Sequence, residues 1–113
     1  VGREAVMATA VAYRHFAQNH PGLYPLTIRA PEPDESELVA SSQQILQMLL
    51  LIMASLGLAG DDALHAIRGL RAILHGFTSL ERAGGYKMDL DRDESFRHLL
   101  GTYLQGLPTP GAG

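Results

Sequence analysis

The stretch from Asp61 to Gly85, DDALHAIRGLRAILHGFTSLERAGG, constrains this chain most, because it reads as one long helix with three unlike faces. Its ends are marked. Asp61 or Asp62 is placed to cap the first turn and to set negative charge at the positive end of the helix dipole. Gly84-Gly85 suits the left-handed closure of a helix, and Arg82 puts a cation in the last turn. The span between is about 22 residues, roughly 33 Å at the helical rise per residue.

Projected at helical spacing, Ala63, Ala66, Ile67, Leu70, Ile73, Leu74, Phe77 and Leu80 form a broad apolar face. Arg68, Arg71, His75, Thr78 and Arg82 form a polar edge. Between them runs a stripe in which every side chain is small: Gly69, Ala72, Gly76, Ser79 and Ala83. Each glycine inside a helix costs about 1 kcal/mol relative to alanine. Close approach of a second backbone offsets such a cost. The helix is therefore expected to pack on two sides, one through large residues and one through small ones. The plain alternative is that both sides face helices of the same domain.

Three further helices are legible. Arg3 to about Asn19 carries Val6, Ala10, Tyr13 and Ala17 on one face, with Met7 and Phe16 adjoining, and stops at His20-Pro21-Gly22. Leu23–Ile28 suggests a short helix or irregular turn, and Arg29–Pro33 a loop. Asp34 and Glu37 then suggest a capping box opening a helix over Glu37–Leu56. The second half of that helix, ILQMLLLIMASL, is apolar on almost every side, which predicts a buried central helix. Gly57 and Gly60 bracket the next turn. Asp91 and Glu94 repeat the capping pattern before a helix over Arg92–Gln105, whose Phe96, Leu99, Leu100, Tyr103 and Leu104, with Leu107 beyond, make one apolar stripe. Thr109–Gly113 is expected to fray. The architecture predicted is an all-α helical bundle, a single domain over 1–113.

Composition narrows the function. With 113 residues the chain suits one core, and 46% hydrophobic with 19% charged residues is ordinary for a globular domain. A net charge of −3 gives no basic footprint for nucleic acid. The absence of cysteine excludes disulfides and thiolate zinc sites, and fits a reducing, cytoplasmic setting. Residues 1–20 do not read as a signal peptide, and Met48–Ala54, the longest apolar run, falls short of the ~20 residues that span a bilayer; no membrane association is expected. The opening Val-Gly-Arg-Glu suggests a fragment or processed chain.

Catalytic and metal motifs are not evident. His15, His20, His65, His75 and His98 form no paired ligand spacing, the serines lack a nucleophile elbow, and Gly84-Gly85 has no phosphate-loop continuation. The acidic run Glu32–Glu37 lacks the alternating ligands of a calcium loop. No catalysis, cofactor or metal is expected. A ligand cavity between helices is the more plausible chemistry, mostly apolar with a few polar groups. The candidates are Tyr13, Phe16, Met48, Ile52, Met53, Leu74 and Phe77, with the Tyr13 hydroxyl suited to orient a ligand.

The segment HGFTSLERAGGYKMDLDRDESFRHLLGTYLQGL resembles the C-terminal end of TetR-family transcriptional regulators. It is similar to the subgroup named for a Trp-His-Gly motif, with Leu74 in place of the tryptophan, followed by His75 and Gly76. Tyr13-Arg14, Phe16 and His20-Pro21-Gly22-Leu23-Tyr24 resemble the early part of that domain. The resemblance implies a homodimer in which the last two long helices of each subunit pair as a four-helix bundle. It also implies a small apolar or amphipathic effector, and operator DNA read only through a helix-turn-helix domain placed before this one, which these 113 residues do not contain. The interface candidates are Gly69, Ala72, Gly76, Ser79 and Ala83, with Phe96, Leu100 and Tyr103 alongside. The alternative is a stand-alone helical protein-interaction module.

Overall fold

The computed structural model describes residues 2–20, 30 and 32–108. The expected turn at Leu23–Ile28 and the tail at Thr109–Gly113 lie outside them. Among the described residues there are four helices and no strand: α1 (Gly2–Asn19), α2 (Ser36–Ser55), α3 (Gly60–Arg82) and α4 (Arg92–Gln105). The all-α architecture is as expected from the periodicity.

The core is one apolar cluster around α3. Ala63, Ala66, Leu70, Leu74 and Phe77 of α3 meet Val6 and Ala10 of α1, Met53 of α2, Leu58 of the turn, and Phe96, Leu100 and Leu104 of α4. Leu70, Leu74 and Leu100 are buried almost completely, and each such side chain contributes about 1.5–3 kcal/mol relative to exposure. Small residues on the buried stripe of α1 (Ala10, Ala17) let its backbone lie close to α3. Gly2 is packed more tightly still. A Cβ there would lie 2.8 Å from both Leu56 Cδ2 and Ser55 Oγ, so the start of α1 is wedged against the end of α2.

The helix ends differ from the sequence expectation in two places. Neither Asp61 nor Asp62 caps α3. The helix begins a residue earlier, with Ala59 as an extended N-cap that offers no side-chain hydrogen bond. The two aspartates instead sit in the first turn, where they still complement the dipole. Asp34 does not cap α2 either. The N-cap is Glu35, and its Oε1 accepts from the Glu32 amide at 2.9 Å, so that carboxylate is occupied by the preceding turn. At α4 the expectation holds: Asp91 Oδ1 accepts from the Asp93 amide at 2.9 Å.

The end of α3 is a Schellman closure. The Gly84 amide donates to Glu81 at 3.2 Å and the Gly85 amide to Leu80 at 2.7 Å. Gly84 has φ +74°, a conformation that costs an L side chain about 1–2 kcal/mol. The connection that follows therefore turns back at once, and brings the start of α4 beside the end of α3.

Helix α2 is not the buried centre that its composition predicts. Met53 is its one buried residue; Leu50, Ile52 and Leu56 are partly buried against the core. Ile45, Met48 and Leu51 project outward at helical spacing, with Leu51 73% exposed. The helix is apolar on nearly all sides, but the described residues cover only one of them. By length and composition α2 is long and apolar enough to cross a bilayer, although the run Met48–Ala54 alone is not. Ser41, Ser42, Gln43, Gln44 and Gln47 would carry unmatched polar groups into hydrocarbon, which argues for a contact surface instead.

The three faces of α3 are also redistributed. Leu80, from the apolar face, is half exposed, and Thr78, from the polar edge, is buried. The Thr78 hydroxyl donates to the Leu74 carbonyl at 2.7 Å, which removes the penalty of burying it.

Candidate functional site

The end of the domain where α1, α3 and the start of α4 converge is held by charge. α1 buries Val6, Ala10 and Ala17, and Arg14 falls between Ala10 and Ala17 on the same stripe. α3 buries Leu70, Leu74 and Phe77, and Glu81 continues that row by one more turn. Two opposite charges, far apart in sequence, are thus carried on buried faces toward each other. Arg14 Nε donates to Glu81 Oε1 at 3.1 Å and Nη2 to Glu81 Oε2 at 2.6 Å. The third donor, Nη1, reaches Asp93 Oδ1 of α4 at 2.7 Å.

The surroundings match a guanidinium. Its carbon lies 5.4 Å from the Phe77 ring centroid and 5.0 Å from that of Phe96, within cation–π range. Tyr86 packs on Phe77 at 5.0 Å between centroids and extends the aromatic wall. Gln18 Nε2 donates to Glu81 Oε1 at 3.2 Å, and Arg92 Nη1 lies 3.7 Å from Glu81 Oε2. The side chains of Arg14 and Glu81 are 13% and 5% exposed, whereas that of Asp93 is 67% exposed.

Protonation follows from the geometry. The Arg14 hydrogen bonds hold Glu81 below its ordinary carboxylate range, against the upward push of burial. Asp93 is lowered by the same guanidinium. Arg14 is raised in turn, chiefly by its bond to Glu81. The cluster is therefore fully ionised at neutral pH. Its hydrogen bonds join three helices, α1 through Arg14, α3 through Glu81 and α4 through Asp93.

The opposite end of α4 is joined to α3 without charge. The Tyr103 hydroxyl donates to the Ala66 carbonyl, and burial pushes its phenol up to about 12. The Tyr103 ring lies over Gly69, where a Cβ would stand 3.6 Å from Cε1. The small stripe is thereby divided. Gly69 packs inside the chain. Ala72 and Ala83 are exposed, Ser79 is half-buried with its hydroxyl 3.4 Å from His75 Nδ1, and a Cβ at Gly76 would meet nothing within 4 Å. Phe96 and Leu100 are buried in the core of the chain itself, because the stripe of α4 faces α3. That leaves them, among the interface candidates, off the outward surface.

The seven pocket candidates are not gathered around one space. Met53, Leu74 and Phe77 lie in the core cluster, with Tyr13 and Ile52 partly buried against it, and Met48 is exposed on the outer face of α2. Phe16 instead lines an open apolar groove along α1 of about 620 Å³, with Met7, Ala8, Val11, Ala12, His15 and His20.

The sequence profile described as "Tetracyclin repressor-like, C-terminal domain" matches residues 6–103, a span that runs from Val6 in α1 to Tyr103 in α4. The chain is 35% identical over 107 residues to the "Uncharacterized HTH-type transcriptional regulator YobS" of Bacillus subtilis, covering 94% of this chain and 55% of that protein. It is 34% identical over 98 residues to the "Uncharacterized HTH-type transcriptional regulator Rv0681" of Mycobacterium tuberculosis, covering 86% of this chain and 44% of the relative. The chain spans about half the length of these curated relatives. With most of its length inside the profile, and about a third of the aligned residues identical in each relative, the chain belongs to the tetracycline-repressor-like C-terminal domain family.

Proposed function

We propose that this domain is the effector-binding and homodimerising part of a helix-turn-helix transcriptional regulator that works in the cytoplasm. The observation that carries the reading is the family match over 6–103, together with the names of both relatives as HTH-type transcriptional regulators. Operator DNA would be read by a helix-turn-helix domain joined to this one. The domain would supply pairing and the response to a small apolar or amphipathic molecule, with no catalytic step.

Pairing is best served by the outward sides of α3 and α4. Gly76 on α3 and Gly101 on α4 both have open space where a Cβ would stand, so a second backbone can approach each of them closely. Ala72 and Ala83 extend the low surface along α3. Sedimentation of the domain at high micromolar concentration tests this: a dimer is expected, and a species that stays monomeric would remove the pairing half of the proposal.

For the effector, the groove along α1 at Phe16 is favoured over the core, where Met53, Leu74 and Phe77 are packed. An anilinonaphthalene sulfonate probe should bind with increased fluorescence, and Val11→Glu should weaken it several-fold. The second reading, a helical module that docks a protein partner, is favoured by one observation, the outward row Ile45, Met48 and Leu51 on α2. If Leu51→Glu abolishes probe binding and Val11→Glu does not, α2 rather than α1 is the binding face.

A further inference from the structure

Helix α4 is held to the rest of the domain at two ends by two unlike attachments, with the buried Phe96 and Leu100 between them. At its C-terminal end the neutral Tyr103 hydroxyl donates to the Ala66 carbonyl, and the ring is seated on Gly69. At its N-terminal end Asp93 meets Nη1 of Arg14. Arg14 itself is fixed elsewhere, since its other two donors are committed to Glu81, whose side chain is 5% exposed.

The two arms of Arg14 differ in strength for a physical reason. The Glu81 arm is bidentate, screened from water, and reinforced by Gln18 and Arg92. The Asp93 arm is a single hydrogen bond to a carboxylate 67% exposed, the class of ion pair that salt screens and that contributes little. The first arm joins α1 to α3 permanently. The second joins α1 to α4 and lets go easily.

We propose that the Arg14–Asp93 contact is a releasable latch: when it opens, the first turn of α4, ahead of the buried Phe96, moves away from α1, while α1 stays fixed to α3 through Glu81. The latch is a property of this chain whether or not the domain pairs or takes an effector. In the pairing reading above, it would set the angle at which α4 meets a second copy.

Hydrogen exchange on the 113-residue chain tests the latch directly. Asp93→Asn is expected to speed exchange about three-fold at the amides of residues 95–98, the scale of an exposed ion pair, and to leave those of residues 74–81 unchanged. Sodium chloride at about 1 M, where the screening length falls to about 3 Å, should reproduce this in the wild type and add nothing in Asp93→Asn. Asp93 also lies in the first turn of α4, where its charge favours the helix dipole. A double-mutant cycle separates the two roles. In an Arg14→Met/Glu81→Leu background, Asp93→Asn should keep only the smaller, dipole-linked part of its effect on residues 95–98. An effect of undiminished size there, an acceleration spread equally over all four helices, or no change at 95–98 in either experiment overturns the latch.

Discussion

The guanidinium of Arg14 and the carboxylate of Glu81, 67 residues apart in the chain, face each other through two parallel hydrogen bonds of 3.1 and 2.6 Å against the rings of Phe77 and Phe96. Removing either partner leaves the other charge buried. Arg14→Met and Glu81→Leu singly should each destabilise the domain by about 3 kcal/mol, while the double substitution should recover most of that loss. Urea unfolding followed by circular dichroism measures all three. Single variants as stable as the wild type would mean that the charges reach water on their own.

The same pair predicts an acid transition. Glu81 is held lower in the folded chain than when unfolded, so its contribution is present above the unfolded value, near 4.5, and is lost as pH falls through the depressed folded value. Stability should therefore drop on acidification below about pH 4.5, and the drop should be shallower in the Arg14→Met/Glu81→Leu variant. Thermal unfolding between pH 3 and pH 7 checks the sign.

A glycine within α3 and one just past its end should respond in opposite directions. Gly84→Ala forces a side chain into φ +74° and should cost about 1–2 kcal/mol. Gly69→Ala places its methyl at ordinary contact distance, 3.6 Å from Tyr103, and should stabilise by up to about 1 kcal/mol through helix propensity. Midpoints of thermal unfolding for the two variants give the comparison.

Gly76 separates folding from pairing. A Cβ there meets nothing within 4 Å in the single chain, so Gly76→Leu should keep its helicity. On the proposed dimer it should weaken association at least about ten-fold, by holding the two backbones apart. Sedimentation equilibrium of the variant against the wild type reads this; unchanged association would place the interface elsewhere.

Helix existence was legible because every boundary is punctuated. His20-Pro21-Gly22, Gly57, Gly60, Gly84-Gly85 and Gly106 stand at the ends, and the observed helices fall within a residue of the expected Arg3–Asn19, Glu37–Leu56, Asp61–Ala83 and Arg92–Gln105. What covers each face was less legible. The apolar run of α2 states that the helix wants burial on several sides, but not that this chain buries one. The caps at Asp34 and Asp61 failed because capping patterns specify a helix start only to within a turn, and a neighbouring residue took the position in each case. The Arg14–Glu81 pair had a readable signal that periodicity counts pass over: a charged side chain in line with Ala10 and Ala17 on one helix, and another in line with Leu74 and Phe77 on the next. Gly69 and Gly76 look alike in the stripe, yet one seats Tyr103 and the other faces outward, a distinction that needs the position of α4.

The wedging of Gly2 against Ser55 and Leu56 gives α1 the character of a lever. Its fulcrum lies at Gly2 and its working end at Arg14, 12 residues on, roughly 18 Å along the axis. A tilt of about 3° about that fulcrum carries the guanidinium through roughly 1 Å, enough to move a hydrogen bond from its preferred distance to beyond its range. Rotations too small to disturb an apolar contact at the pivot would thus be magnified at the far end, and the paired bonds from Arg14 to Glu81 are what hold that end of α1 against them.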